Sequence, residues 1–132
     1  MNSIDQSQVR KILCGRRDAI ADSWYRAITQ VSCASLPAEE VRQQLVGLTE
    51  QAIAVLVTEP FEDRKAQAIG VALSQLPCTQ SEVLGRSQEL LAYQLIRDLP
   101  VDQIVALQPR LVALIGAVAV GFYQQIRETI PV

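Results

Sequence analysis

The stretch LVALIGAVAVGF, residues 111–122, gives the clearest indication of the fold, because it contains no charged side chain. Within it, Ala113, Ala117 and Gly121 follow one another at four-residue spacing, so on a helix they form a stripe along which another backbone can approach closely. A helix that crosses a bilayer needs roughly 20 apolar residues, so the stretch is too short for a membrane span. The core of the same chain, a second copy of the chain, or both must therefore cover this segment.

Two interpretations of the small-residue stripe stay open. The stripe is either the seam of a homodimer or a tight contact inside the fold, because an apolar helix is equally suited to the centre of a bundle. Both interpretations make packing, and not chemistry, the role of Ala113, Ala117 and Gly121.

Helix signals run through the rest of the chain. Apolar side chains recur every three or four residues, which is typical of amphipathic helices, and the alternation of strands is absent. Thr79 and Glu82 match a capping box at the start of a helix, and Pro109 is expected to kink or divide the last region, leaving a final helix over 110–129. The sequence therefore predicts an all-α fold, a single compact bundle of six or seven helices, over residues 1–132.

Composition narrows the class of protein. The 132 residues are 49% apolar, which is enough to bury a core without metal or disulfides. A net charge of -2 and 5% aromatic residues offer neither the basic face nor the stacking platforms of nucleic-acid binding. The N-terminus has no signal-peptide core, and the three widely spaced cysteines are typical of reduced thiols, so we expect a cytoplasmic protein. These cysteines are Cys14, Cys33 and Cys78.

Histidine is absent from the whole sequence. Its absence removes the usual proximal haem ligand, the His-containing zinc sites and the Ser–His or Cys–His pairs of nucleophilic catalysis. The carboxylates of Glu59 and Glu62 are separated by Pro60, which prevents one helix from holding both on the same face. We therefore predict no catalytic residue, no cofactor and no metal site, and we expect a protein that is not an enzyme.

Three groups of side chains are candidates for binding, and each has a structural alternative. Aromatic residues either line a ligand pocket or lie in the core with their polar tips satisfied; they are Trp24, Tyr25, Tyr93 and Tyr123. Basic residues either dock an acidic partner or an anionic membrane, or form a solvated face; they are Arg10, Lys11, Arg16 and Arg17. Polar residues within apolar stretches either form a buried network or face water; they are Thr49, Gln51, Ser87 and Gln94.

Several short motifs follow one another in a characteristic order. They are GRRDAI (15–20), LPAEEV (36–41), LTEQA (48–52), EPF (59–61), AIG (68–70) and VLG (83–85), with Trp24 after the first. Their order resembles the helical N-terminal input modules of multidomain bacterial signalling proteins, which precede histidine kinase, diguanylate cyclase or PAS segments, and related domains of stressosome co-antagonists. One group of such modules is similar to globins without haem. The resemblance implies sensing or regulation and a homodimer formed through the last helices.

We therefore expect a sensory or regulatory input domain, cut from a longer signalling protein, that works as a homodimer. Its C-terminal helix would pass a change in packing, set by a small ligand or a partner protein, to a downstream output domain. The alternative is a stand-alone helical adaptor that holds a protein partner without a small-molecule ligand. A cavity among Trp24, Tyr93 and Tyr123 favours the sensor, whereas a filled core with a large exposed apolar patch favours the adaptor.

Overall fold

The computed structural model describes residues 5–29, 38–76 and 81–129, and these residues form six α-helices without a strand. The helices are α1 (Gln6–Gly15), α2 (Arg17–Thr29), α3 (Ala38–Val57), α4 (Asp63–Ser74), α5 (Ser81–Gln94) and α6 (Val101–Thr129). The prediction of an all-α bundle is confirmed, with six helices and not seven in the described ranges.

The first two helices are separated by a single residue. Asp5 caps α1 by accepting a hydrogen bond from the backbone N–H of Gln8. At the other end, Arg16 leaves helical geometry between Gly15 and the start of α2. The backbone N–H of Asp5 also donates to Oε1 of the buried Gln103 over 2.7 Å, so the start of α1 is tied to the first turn of α6.

Helix α3 lies at the centre of the bundle, because it contacts α1, α2, α4 and α6. Its buried side chains recur at helical spacing and include Val41, Leu45, Leu48, Ala52, Ile53 and Leu56. The most extensive contact between two helices joins α4 to α6. Burying these apolar faces supplies most of the folding free energy of the bundle.

Helix α6 runs without interruption through Pro109, so the prediction of a separate helix over 110–129 was wrong. Proline removes the hydrogen bond that its N–H would give to the carbonyl four residues earlier, here that of Val105. Both Pro109 and Val105 are exposed, so water can satisfy the carbonyl and the helix continues.

The predicted capping residue Thr79 lies outside the described residues. The break at Pro60 is confirmed, since the chain bends there between α3 and α4. Helix α5 ends at Gln94 and a turn follows. Asp98 closes that turn with a φ of 61°, the left-handed conformation that Asp tolerates better than most residues.

Candidate interaction surface on the last helix

The two sides of α6 have different surroundings. The buried side faces the core and consists of Gln103, Leu107, Leu111, Leu114, Ala117, Val118, Gly121 and Phe122. The opposite side is exposed and apolar, and we call it the α6 outer face; it consists of Val101, Val105, Pro109, Val112, Ala113, Gly116, Val120 and Tyr123. Both sets recur every three or four residues, as the period of the helix requires.

The α6 outer face is exposed to a degree that is unusual for large apolar side chains. Val101 is 76% exposed and Val112 is 71% exposed, while Val105, Val120 and Tyr123 are each about half exposed. Single exposed apolar residues are ordinary, but a contiguous apolar patch marks an interaction site. The outer face is such a patch.

Charged side chains lie only at the two ends of the outer face. Asp102 is exposed at the start of α6, and Arg127 is exposed near its end. Between them α6 has one further charged residue, Arg110, and it points away from the outer face. Over residues 103–126 the outer face is therefore free of charge, a length of about 36 Å at the rise of an α-helix.

Arg110 holds α6 against the end of α3. Its guanidinium donates to the backbone carbonyls of Leu56 and Thr58, at 3.2 and 2.9 Å, and lies 2.6 Å from a carboxylate oxygen of Glu59. Its side chain is only 15% exposed. The last carbonyls of a helix lack intrahelical partners, so Arg110 supplies the donors that the end of α3 needs.

Helix α6 is also longer than the apolar stretch 111–122, which was judged too short to span a membrane. By length and composition, Val101–Arg127 could cross a membrane. The exclusion by length was therefore wrong. The core helix of a soluble protein passes the same test when most of it is buried, whereas one third of the most apolar part of α6 is buried within the fold.

The small-residue stripe does not stay on one side of α6. Gly121 lies against α4, where a Cβ on Gly121 would come within 1.9 Å of the carbonyl oxygen of Gln67. Ala117 is buried, whereas Ala113 is exposed on the outer face. Four residues exceed one turn by about 40°, so residues at this spacing drift around the helix. Gly121 therefore makes an internal contact and Ala113 does not.

Helix α4 contributes a matching glycine to this contact. A Cβ on Gly70 would lie 1.9 Å from the carbonyl oxygen of Val118 and 2.7 Å from the backbone nitrogen of Phe122. Each helix therefore places a glycine against the backbone of the other, and the two axes approach more closely than side chains would allow. This pairing explains why α4 and α6 form the most extensive contact in the bundle.

Trp24 is a core residue. It is fully buried, and its indole N–H donates to Oγ of Ser87 on α5 over 2.8 Å. Ser87 is also fully buried and donates to the carbonyl of Val83 over 2.7 Å. The polar atoms of this pair satisfy each other, as buried polar groups must.

The other three aromatic candidates lie in different surroundings. Tyr93 is 61% exposed on α5, where the guanidinium of Arg97 lies 5.8 Å from its ring centre. Tyr123 is 51% exposed on the α6 outer face. Tyr25 is partly buried and borders a shallow depression with Asp22 and Arg42. The four residues that the sequence grouped as a candidate pocket therefore range from fully buried to exposed.

Most of the basic cluster is engaged by other parts of the fold. Its partners are the hydroxyl of Thr58 for Arg10, the backbone carbonyls of Gln94 and Arg97 for Arg16, and the carboxylates of Asp18 and Glu50 for Arg17. The hydrogen bond and the charge of Asp18, followed by those of Glu50, raise the pKa of Arg17. Among the described residues, Lys11 is the member of the cluster that makes no hydrogen bond or ion pair through its side chain.

The candidate polar network also divides. Thr49 and Ser87 are fully buried, and the hydroxyl of Thr49 donates to the carbonyl of Leu45 within its own helix. Gln51 is exposed and Gln94 is partly buried. Two members therefore belong to the core, and Gln51 belongs to the surface.

Sequence reasoning missed the α6 outer face, although a signal was present. In this helix the buried positions include Leu107, Leu111 and Leu114, while valines at 101, 105, 112 and 120 are exposed. Apart from the buried Val118, separating leucine from valine along a 3.6-residue period would have distinguished the two sides. Grouping both as one apolar stretch concealed that only one side belongs to the core.

Comparisons with known proteins do not assign a function to this chain, so the structure is the basis for one. No protein-family model, no curated protein and no solved structure matches the chain. The resemblance to bacterial input modules therefore rests on the sequence motifs, and the α6 outer face is the feature from which function is inferred.

Proposed function

We propose that the chain is a non-catalytic regulatory domain that acts in the cytoplasm through protein contacts made by α6, and that it works as a homodimer. The observation that carries this proposal is the α6 outer face, a charge-free apolar surface about 36 Å long that the rest of the described fold leaves exposed. Covering such a surface lowers the free energy of the protein by removing apolar area from water.

The same helix offers a route for a signal. Its outer face would hold a second copy, while its opposite side meets α4 at Gly70 and Gly121 with the backbones nearly in contact. Because closely packed helices cannot deform gradually, a ligand or partner that prefers one packing of α4 on α6 would change the outer face. The change would reach a downstream output domain through α6.

Sedimentation equilibrium at micromolar concentrations tests the homodimer. We expect the wild-type chain to be a dimer and Val112→Asp to be a monomer with an unchanged circular dichroism spectrum, because Val112 is 71% exposed and its replacement leaves the core intact. Tyr93→Asp is the matched control, since it adds a charge at an exposed aromatic residue outside the outer face. A wild-type chain that stays monomeric throughout the range would refute the proposal.

A second candidate function is the stand-alone adaptor, and the surroundings of Trp24 favour it. The indole is fully buried and bonded to Ser87, so this position belongs to the core and offers no ligand site. Native mass spectrometry of freshly purified protein distinguishes the two functions. A retained small molecule supports the sensor, and a mass equal to that of the chain or its dimer supports the adaptor.

A further inference from the structure

The charges and shape of the α6 outer face also specify how two copies would meet. Building on the proposed homodimer, we infer that two α6 helices pair in antiparallel orientation through their outer faces, centred at the height of residue 114. In this arrangement Val105 of each copy packs against Tyr123 of the other, and Val112 packs against Gly116. The occupant of the outer face is therefore a second copy of this chain.

Four members of the outer face exchange with one another when α6 is reversed end for end about residue 114, whereas Val120 exchanges with Gln108. Reversal exchanges Val105 with Tyr123 and Val112 with Gly116, and all four lie on the exposed side. A two-fold dimer requires this property, because each copy must present the same patch to the other. The reversal also exchanges residue 101 with residue 127, so the two ends of the face meet.

Shape complementarity favours the same register. Gly116 has open space where its Cβ would lie, since no other part of the described fold comes within 4 Å of that position. Glycine in the interior of a helix costs about 1 kcal/mol relative to alanine, and no internal contact of the described fold requires it here. The exposed side chain of Val112 from the second copy would fill this space.

Charge complementarity decides between the two orientations. Asp102 and Arg127 stand at opposite ends of the outer face. An antiparallel pair brings Asp102 of one copy to Arg127 of the other at both ends. A parallel pair brings each of these residues to the same residue of the other copy, so that like charges meet. The helix dipoles also oppose each other favourably only in the antiparallel pair.

A membrane surface fits the outer face less well. Helices that lie on anionic membranes carry Lys and Arg along their polar flanks. Among the described exposed side chains of α6, Arg127 is the single cation, and the others that border the apolar face are neutral or acidic, as at Gln108, Gln124 and Asp102. The buried side of α6 is moreover already packed on α4.

Disulfide cross-linking tests the orientation in the full chain. The background variant has Cys14, Cys33 and Cys78 replaced by alanine, and circular dichroism verifies its helix content. Val105→Cys and Tyr123→Cys are then made separately. In the antiparallel pair each new cysteine lies about 27 Å, along the helix axis, from the same cysteine of the other chain. Neither variant alone therefore oxidises to a covalent dimer, whereas an equimolar mixture of the two does. Tyr93→Cys, exposed on α5, is the control that should not cross-link with either.

Charge reversal provides a second measurement that needs no cysteine. Asp102→Arg is expected to raise the dimer dissociation constant roughly 5- to 30-fold, because two attractive pairs become two repulsive ones. The double variant Asp102→Arg with Arg127→Asp should restore the wild-type value. A parallel dimer would show neither effect, since like charges face each other before and after the changes.

Each outcome bears on the inference in one direction. A covalent dimer in the mixture alone, with recovery in the double charge variant, supports antiparallel pairing. Covalent dimers from each single variant overturn the orientation and leave the proposed homodimer intact. Sedimentation as a dimer without any cross-link places the contact elsewhere and also overturns it. A monomer refutes both proposals, and flotation of that monomer with phosphatidylserine vesicles would assign the outer face to a membrane.

Discussion

At the scale of single residues, the glycines of this bundle have different roles that depend on what lies beside them. Gly70 and Gly121 face the backbone of a neighbouring helix at distances that no Cβ could occupy. Gly85 and Gly116 have open space at the same position. The cost of adding a methyl group therefore differs in sign between the two kinds of position, and it can be measured.

Gly121→Ala and Gly70→Ala are predicted to destabilise the fold by about 1–3 kcal/mol or more, because the new Cβ would overlap a backbone carbonyl and force α4 and α6 apart. Gly85→Ala is the matched control and should stabilise the fold by about 0.5–1 kcal/mol through helix propensity alone. Urea unfolding followed by circular dichroism gives the three values. Equal effects at Gly121 and Gly85 would contradict the close contact of α4 and α6.

The same residues show how far the sequence could predict the surface. Four-residue spacing identified Ala113, Ala117 and Gly121 as a stripe, but spacing cannot show which neighbour a stripe meets. The drift of about 40° per step places Gly121 against α4 and Ala113 on the outer face. The partner of Trp24 was equally inaccessible, because Ser87 lies 63 residues along the chain and only the packing of α2 on α5 joins them.

At the scale of elements, periodicity and proline predicted the all-α fold correctly and failed at α6. The signals for α1 to α5 are local, since each helix has its own apolar period and its own break. Pro109 gives the same local signal as Pro60, yet α3 and α4 are separate and α6 is continuous. The difference is set by tertiary contacts, because Arg110 binds the end of α3 and the buried side of α6 is covered on both sides of Pro109.

Pro109→Ala is predicted to raise the free energy of unfolding by about 1–3 kcal/mol. Alanine restores the N–H that bonds to the carbonyl of Val105 and removes the helix penalty of proline, and the greater freedom of the unfolded chain offsets part of this gain. Thermal and urea unfolding should be measured in the Val112→Asp background, so that self-association does not contribute. Gln108→Ala, at the adjacent exposed position, is the control and should change stability by less than about 0.5 kcal/mol. A loss of stability in Pro109→Ala would show that α6 depends on a distortion that proline provides.

At the scale of the whole molecule, the distribution of apolar surface is uneven. The core around α3 is well covered, whereas the long apolar outer face of α6 is exposed to solvent. A bundle of this kind can fold by itself and still gain free energy by association. The stability of the chain should therefore depend on its concentration, which the core alone would not cause.

We predict that the Tm of the wild-type chain rises by about 3–6 °C for each hundredfold increase in protein concentration, because mass action stabilises a folded dimer against unfolded monomers. The Tm of Val112→Asp should be independent of concentration, since the added charge on the outer face prevents pairing. The substitution should not weaken the core, because Val112 makes no core contact. Differential scanning calorimetry over a hundredfold range of protein concentration in the micromolar region measures both Tm dependences. Tyr93→Asp should follow the wild type, because it changes the exposed charge without touching α6. If the Tm of the wild type does not change with concentration, the outer face is not covered by a second copy. The fold would then be stabilised by the core of the single chain alone.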